Sequence, residues 1–543
     1  MKIDGNANLK DNHGGLTFKS RFITFFKKYR FAALFGFLFS ILLYSLMMSQ
    51  QLTNTFDGLW QQNYHEAGAL ELTSGRWMLI FVDKLVMGLH AEPIASIAAL
   101  SLYIAGFLLT LNLFKVENSF YGCLGLALFL SSTAICNTLS YRFTSLGYGF
   151  AYLLAVLSVY TVIKVTNPFA AVGVSGLLLG LSMSCYQAYL AVFCTIAVFY
   201  IIVQCKSAEE VNGERSMLHN LLRIGCSLIT GAVFYIVSLS LMLKLFHSSL
   251  SGYNGIGEVS SGAVLAGLPQ SILKTFQYFG AYFFMDKLKI NRLQPFGVLC
   301  LLLALFILLI VLIGINVWKT KKQRIVLLLF AAFGIPIACS AYMLIAGDKM
   351  ELQMTAGLAM FMSLTMIVAF SCFKEKRFLK SVCTILCIAL IYGNSMQVWF
   401  DQEAMYEGQN ACETMATQVI SDLKSENLLS SDYEYYFIGA PAENPFFSVS
   451  SIYDCANGYA QMGRFWTSGN CCQMSYDGLI NQHMGFNLSM SSLDYETVAE
   501  KISVQEMPEF PAEGYMTLLD DHTVVIKISE YKEYTGNSKY VFE

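Results

Sequence analysis

Runs of about 20 apolar residues recur along the first 400 positions of the chain, the length at which a helix crosses a hydrocarbon core about 30 Å thick. They lie near 31–50, 93–114, 119–137, 147–166, 168–186, 187–204, 221–246, 295–318, 325–346, 354–373 and 379–398. In lipid every backbone amide has to pair within its own segment, so these runs predict eleven helical spans of a polytopic membrane protein. Hydrophobic residues make up 55% of the chain and charged ones 13%, which excludes a soluble globular protein. No nucleic-acid partner is expected.

The net charge of −3 conceals two bodies. From Asp401 onward the chain carries 22 Asp and Glu against 6 Lys and Arg, whereas the first 400 residues carry 16 acids and 29 bases. A basic membrane part is thus followed by an acidic, water-facing tail. Seven Lys and Arg precede residue 31. The apolar run after them is too long for a signal-peptide core and lacks a small-x-small cleavage pattern, so it is expected to stay as the first span. With the amino terminus in the cytoplasm, 20 Lys and Arg fall in cytoplasmic segments and 8 in the longer opposite loops. The positive-inside rule then sends loops 51–92, 138–146, 247–294 and 347–353, and the tail, to the extracytoplasmic side.

The expected organisation is therefore a cytoplasmic amino terminus over 1–30, a transmembrane domain over 31–398 with external loops 51–92 and 247–294, and an extracytoplasmic α/β domain over 399–543. In the tail, Ala411 to Leu423 has a helical pattern, Tyr433 to Ile438 and Val524 to Ile528 read as strands, and Val498 to Val504 as a short helix end. Of 15 Cys, 11 lie in or beside apolar runs as soft packing residues. Cys412, Cys455, Cys471 and Cys472 lie in the tail, where an extracytoplasmic setting would allow one or two disulfides, with the pairing open.

The polar interruption from Thr55 to His90 concentrates Asp57, His65, Glu66, Glu71 and Arg76 just beyond the first span. A carboxylate at a membrane surface is placed to take a proton from a sugar hydroxyl, and Asp57 is the first candidate. A solvated loop acid is the plain alternative, and Glu66 and Glu71 compete for the same role because their spacing does not exclude them. Arg76 offers a guanidinium fork that suits a phosphate, against the alternative of an Arg snorkelling to headgroups. Arg76, Asp83 and His90 recur every seven residues, which predicts one polar stripe, turned toward water or a cavity, on an interfacial helix over Gly75 to His90.

Tyr141 and Arg142 repeat the theme at the outer end of the third span, where positive charge is scarce. Tyr186 and Gln187 sit between two apolar runs joined by almost no loop. Tyrosine there commonly anchors the interface, but Gln187 calls for a hydrogen-bond partner. The Gly- and Ser-rich segment from Ser248 to Gly262 is expected to be mobile over an acceptor cleft. The chain has no Gly-rich phosphate loop, HExxH motif, CxxC pair or nucleophile elbow. No cytoplasmic segment after the first span is long enough for a nucleotide-binding domain, so a transferase of this kind needs a lipid-linked donor.

Taken in order, FD at 56–57, GRW at 75–77, SYRF-x-SL at 140–146 and CYQAYL at 185–190 resemble the polytopic glucosyltransferases that modify O-antigen in serotype conversion. That family falls within the C-superfamily of integral-membrane glycosyltransferases, the GT-C fold. EMPEFPAEGYMTLLDDHTVVIKIS at 506–529 resembles the family's closing segment, while the middle spans match only in hydropathy. Asp57-Gly58 stands where relatives often show an acidic pair, and Thr144 where they often show Asp.

The resemblance implies a hexosyltransferase, with glucose the first choice, that uses a polyprenyl-phosphate-linked donor and a cell-surface polysaccharide or glycolipid acceptor. It would work at the outer face of the bacterial cytoplasmic membrane. Asp57 would be catalytic, with Glu66, Glu71, Arg76, Tyr141, Arg142, Tyr186 and Gln187 at the substrate. No cofactor is implied, although Asp57 with Glu66 or Glu71 has the oxygen ligands for a divalent ion. A flippase and a donor-loading glycosyltransferase are partners by analogy. Two other classes stay open: a transporter or flippase of lipid-linked sugars, which would want ionisable or helix-breaking residues at mid-span, and a non-enzymatic envelope assembly protein.

Overall fold

The computed structural model describes residues 18–53, 64–206, 213–250, 261–284, 293–320, 323–344, 351–441, 444, 472–494 and 498–530. Among the described residues, seven helices are long and apolar enough to cross a membrane: Ile94–Leu113, Arg142–Lys164, Pro168–Cys185, Gln187–Lys206, Met217–Leu245, Phe296–Lys319 and Arg377–Ser425. There are up to eight if Ser119–Leu130 and Thr133–Ser140, bent by 53°, form one span.

The eleven runs expected from hydropathy therefore do not become eleven long helices. The run at 325–346 breaks at Gly334 into Gln323–Phe333 and the short Ile335–Cys339, which carries Pro336 in its first turn. The run at 354–373 gives a helix of 17 residues, Ala356–Cys372, buried along nearly all its length. Helix Phe18–Leu43 extends back over Lys27, Lys28 and Arg30. A hydropathy window scores a run alike whether its helix continues or turns, so it misses such breaks. The stretch 247–294, expected to be a loop, contains the helix Ser261–Phe284. Residues 251–260, most of the segment expected to be mobile, lie outside the described residues.

Local chemistry sets the turns. Asn118 caps Ser119–Leu130 by accepting from Phe120 N–H and Tyr121 N–H. Asn167 does the same for Pro168–Cys185, with Pro168 at the first helical position, where its missing N–H is not needed. Arg223 then locks the turn by donating to Val165 O at 3.0 Å and Thr166 O at 2.8 Å.

Helices Pro168–Cys185 and Gly213–Leu245 approach closely through small residues, the device that lets helices associate where lipid offers no hydrophobic drive. Gly176 and Gly180, four apart, face Thr230, Gly231 and Phe234. A Cβ at Gly180 would collide with the Phe234 ring and sit 3.0 Å from Gly231 O, whereas one at Gly173 meets nothing within 4 Å.

The helix Arg377–Ser425 runs 49 residues without interruption, about 74 Å at 1.5 Å per residue. Its first half packs in the helical bundle through Cys383, Cys387, Leu390 and Val398. Its last turns, with Cys412, Met415, Val419 and Leu423, pack on a four-stranded sheet. Strands β1 (Glu434–Ile438), β2 (Ser489–Met490), β3 (Met516–Leu518) and β4 (Thr523–Lys527) lie in the order β2-β1-β4-β3. β1 is parallel to both neighbours, and β3 is antiparallel to β4. Tyr435 and Phe437 face the long helix while Tyr436 and Ile438 face Val498, Val504 and Met507, the alternation of a strand covered on both sides. Cys412 is buried in this core; Cys455 and Cys471 lie outside the described residues.

Gly180→Leu is expected to destabilise the bundle by roughly 1–3 kcal/mol through overpacking, while Gly173→Leu leaves the thermal midpoint in detergent unchanged. Equal midpoints for both variants would contradict the close approach at Gly180.

Candidate functional site

Residues 64–93 fold into a loop closed on itself. Tyr64 and Leu89 form an antiparallel bridge, and His65 N–H donates to Gly88 O at 2.9 Å. Met87 and Gly88, both at positive φ, turn the chain back. Between them lie two short helices, Ala69–Thr73 and Leu79–Leu85. The single helix expected over Gly75 to His90 is therefore not formed: Gly75, at φ +80, breaks it, and His90 lies beyond the Met87–Gly88 turn. Asp83 and His90 still meet, by way of that turn, whereas Arg76 points elsewhere. Asp83 and His90 also do not face water, being 4% and 1% exposed.

Four buried ionisable groups gather inside the loop. His65 Nε2 lies 3.0 Å from Glu71 Oε1 and 3.8 Å from Asp83 Oδ2, and His90 Nε2 lies 3.6 Å from Asp83 Oδ1. Backbone donors complete the carboxylates: Gly68 N–H to Glu71 Oε2 and Ala67 N–H to Asp83 Oδ2, each at 2.8 Å. Burial pushes the Asp83 carboxyl up to about 6, opposed by the Ala67 bond. Burial likewise pushes the His90 imidazole down to about 4, helped by repulsion from His65. At Glu71, burial is outweighed by the His65 hydrogen bond and the Gly68 N–H, which hold the carboxyl below its ordinary range. Glu92, also buried, is raised by desolvation against hydrogen bonds from Ser96 and the charge of Arg142.

On the other side of the loop, the Arg76 guanidinium lies over the Tyr186 ring, 4.9 Å from its centroid. Tyr186 packs edge-on against Tyr148 at 4.8 Å. Gln187 has the partner its position called for: Nε2 donates to Ser74 O at 3.0 Å and to Tyr235 Oη at 2.9 Å. Tyr235 in turn donates to Gly75 O at 3.2 Å. A side chain at Gly75 would strike that tyrosine hydroxyl, so glycine is required by space as well as by φ. Met78 N–H donates to Ser184 O at 3.1 Å, tying the loop to the break before Tyr186.

Arg142 opens its helix fully buried, with Nη1 3.4 Å from Gln51 Oε1 and its charge felt at both Glu92 and His90. Tyr141 is half-buried beside Phe143, and the Phe143 ring lies edge-on to His65 at 4.9 Å. Leu79 fills the space above Gly147, seating the loop on the Arg142 helix.

The structure thus brings Glu71, Arg76, Tyr141, Arg142, Tyr186 and Gln187 around one folded loop. Glu66 is turned to the surface, where its carboxylate accepts from Tyr64 Oη at 3.1 Å. Asp57 and Trp60 lie outside the described residues. Sequence reasoning missed Glu92, Tyr148 and Tyr235, and gave Asp83 and His90 no role beyond the stripe. An acid flanking a proline at a span's start, in the case of Glu92, was the available signal. Among the described residues no group of three His, Cys, Asp or Glu side chains has the arrangement to hold a metal. A hollow of about 620 Å³ at the amino-terminal ends of β1, β2 and β4 is lined by Asp432, Glu434, Asp520 and Asp521 and lies apart from this loop.

A family model described as "Glucosyl transferase GtrII" matches residues 61–373. No curated protein matches the chain. The matched region contains the whole loop, Arg142 and the Tyr186-Gln187 break. It begins after Asp57, includes the middle spans, and ends before the 506–529 segment that the sequence reading had tied to the family.

The buried pair Asp83 and His90 sets opposing slopes of stability against pH. A carboxyl raised to about 6 weakens the fold as pH climbs from about 4 to about 6, while an imidazole lowered to about 4 weakens it as pH falls through the same window. Asp83→Asn keeps an acceptor for Ala67 N–H and, of this pair, leaves only the histidine slope. The variant should gain on wild type across that window, by on the order of 3 kcal/mol above about pH 6. Thermal midpoints in detergent at a series of pH values check this, and a pH-independent difference would contradict it.

Proposed function

Because the chain belongs to the GtrII glucosyl transferase family, we propose that it moves glucose from a polyprenyl-phosphate-linked donor to a hydroxyl of a surface polysaccharide or glycolipid. The proposal places this reaction at the outer face of the bacterial cytoplasmic membrane, with the amino terminus inside and the acidic tail outside. A flippase and a donor-loading enzyme would supply the substrate. The observation that carries the reading is that Arg76, within the 64–93 loop, and Arg142, at the start of the helix on which that loop sits, both border one loop of buried acids and histidines at the ends of apolar helices.

In this reading the prenyl chain stays in the bilayer and the donor phosphate meets the two guanidiniums. The bond between the anomeric carbon and the phosphate oxygen breaks, its electron pair leaving with the phosphate, as the acceptor oxygen attacks from the opposite face and inverts the centre. A fixed guanidinium aimed at a leaving phosphate stabilises the developing charge, and more so where water is excluded. Tyr186 holds the Arg76 plane, and Gln187 with Tyr235 fixes the backbone on which Arg76 sits. Asp57, which precedes the loop in sequence, is proposed as the catalytic carboxylate.

Transfer of glucose from a polyprenyl-phosphate donor in detergent tests this. Arg76→Ala and Arg142→Ala should each lower kcat/KM by roughly 10²–10³-fold. Arg76→Lys should recover only part of it, since an ammonium lacks the planar fork and the stacking face. Wild-type rates in both alanine variants would remove the arginines from the donor site and with them the basis of the reading.

A further inference from the structure

The two ring nitrogens of His65 are in unequal situations. The residue is 5% exposed, and its Nε2 lies 3.0 Å from Glu71 Oε1 and 3.8 Å from Asp83 Oδ2. Its Nδ1 is buried and has no hydrogen-bond partner. An ionised carboxylate only accepts, so neutral His65 gives its proton on Nε2 to Glu71 and keeps the lone pair on Nδ1. The residue is held on further sides: Phe143, next to Arg142, packs edge-on against the ring, and the backbone N–H of His65 is tied to Gly88 O. A buried nitrogen without a partner is uncommon in a folded protein, and here it belongs to a rigidly oriented base.

We propose that His65 Nδ1 accepts the proton in the transfer reaction, with Glu71 as the positioning residue that fixes its tautomer. This deepens the glucosyl-transfer reading and rests on it. The acceptor's hydroxyl oxygen forms its bond to the anomeric carbon, the phosphate departs with the electron pair of the broken bond, and the hydroxyl proton passes to Nδ1. The imidazolium then faces the carboxylates of Glu71 and Asp83, which stabilise it until the proton returns to water after product release. The arrangement is that of a carboxylate–imidazole pair serving a hydroxyl nucleophile, in which the carboxylate orients the ring and does not itself take the proton. Imidazoles are as a class stronger bases than carboxylates. The proton is thereby assigned to a histidine, where the sequence alone points to the Asp57 carboxylate.

His65→Gln retains an amide donor for Glu71 and removes the Nδ1 lone pair. It should lower kcat by roughly 10²–10⁴-fold with the donor KM little changed, and free imidazole should restore part of the rate to His65→Gly. Near wild-type kcat in His65→Gln overturns the proposal. So does a lack of imidazole rescue in a His65→Gly protein that keeps the wild-type thermal midpoint.

The same variants are also scored by modification of the host's surface glycan in cells. Wild-type activity there without use of the prenyl-phosphate donor in vitro would defeat the donor reading and leave the His65 comparison standing. Independently of any activity, ¹⁵N-histidine spectra of the full chain at alkaline pH should show His65 as the Nε2–H tautomer. An Nδ1–H tautomer overturns the proposal.

Discussion

Ionisable side chains taken out of water have to satisfy one another, and the loop over residues 64–93 is shaped by that demand. Its bridge, its two short helices and its positive-φ turn place Glu71 and Asp83 where backbone amides and two imidazoles can meet them. If that turn opened, Asp83 would lose its nearness to His90, and the pair would be stranded in an apolar setting. The loop in turn depends on the helices beneath it. Gly147 accommodates Leu79, and Tyr235 reaches across from Gly213–Leu245 to hold Gly75. The small-residue contact between Pro168–Cys185 and Gly213–Leu245 thus bears on the site, because it sets how far Tyr235 stands from Gln187.

The sequence conveys the membrane character well, because burial in lipid demands long apolar helices and composition alone reports them. It conveys the breaks poorly. Ser131-Ser132, and Gly334 two residues before Pro336, interrupt runs whose average hydropathy does not change, so a reading by hydropathy passes over them. Two of the four tail strands, β1 and β4, were legible within a residue at each end, since β-rich runs there are bounded by Gly439 and by the Asp520-Asp521 turn, whereas the short β2 and β3 were not read. The continuity of Arg377–Ser425 was not legible, because its apolar half and its amphipathic half read as separate elements.

At the site, the unusual residues were visible one at a time and their partnerships were not. Gln187 stood out because a lone amide between two spans needs a partner, yet nothing in the chain names Ser74 or Tyr235 as that partner. The seven-residue recurrence of Arg76, Asp83 and His90 was read as one helical stripe. Asp83 and His90 are neighbours for another reason, a turn at a glycine the periodicity passes over. Arg76 then falls to the opposite side of the loop and finds an aromatic face instead of an acid.

The titration behaviour of the loop follows from keeping its total charge small. Asp83 and Glu92 are raised and His90 is lowered, each shift favouring the uncharged form, as desolvation requires. Glu71 is the exception, held below its ordinary range by His65 and the Gly68 N–H. Glu71 is thus held toward its charged form beside His65, as the proposed proton transfer to that imidazole requires. A proton arriving on His65 would then create an ion pair at 3.0 Å in place of an isolated buried charge.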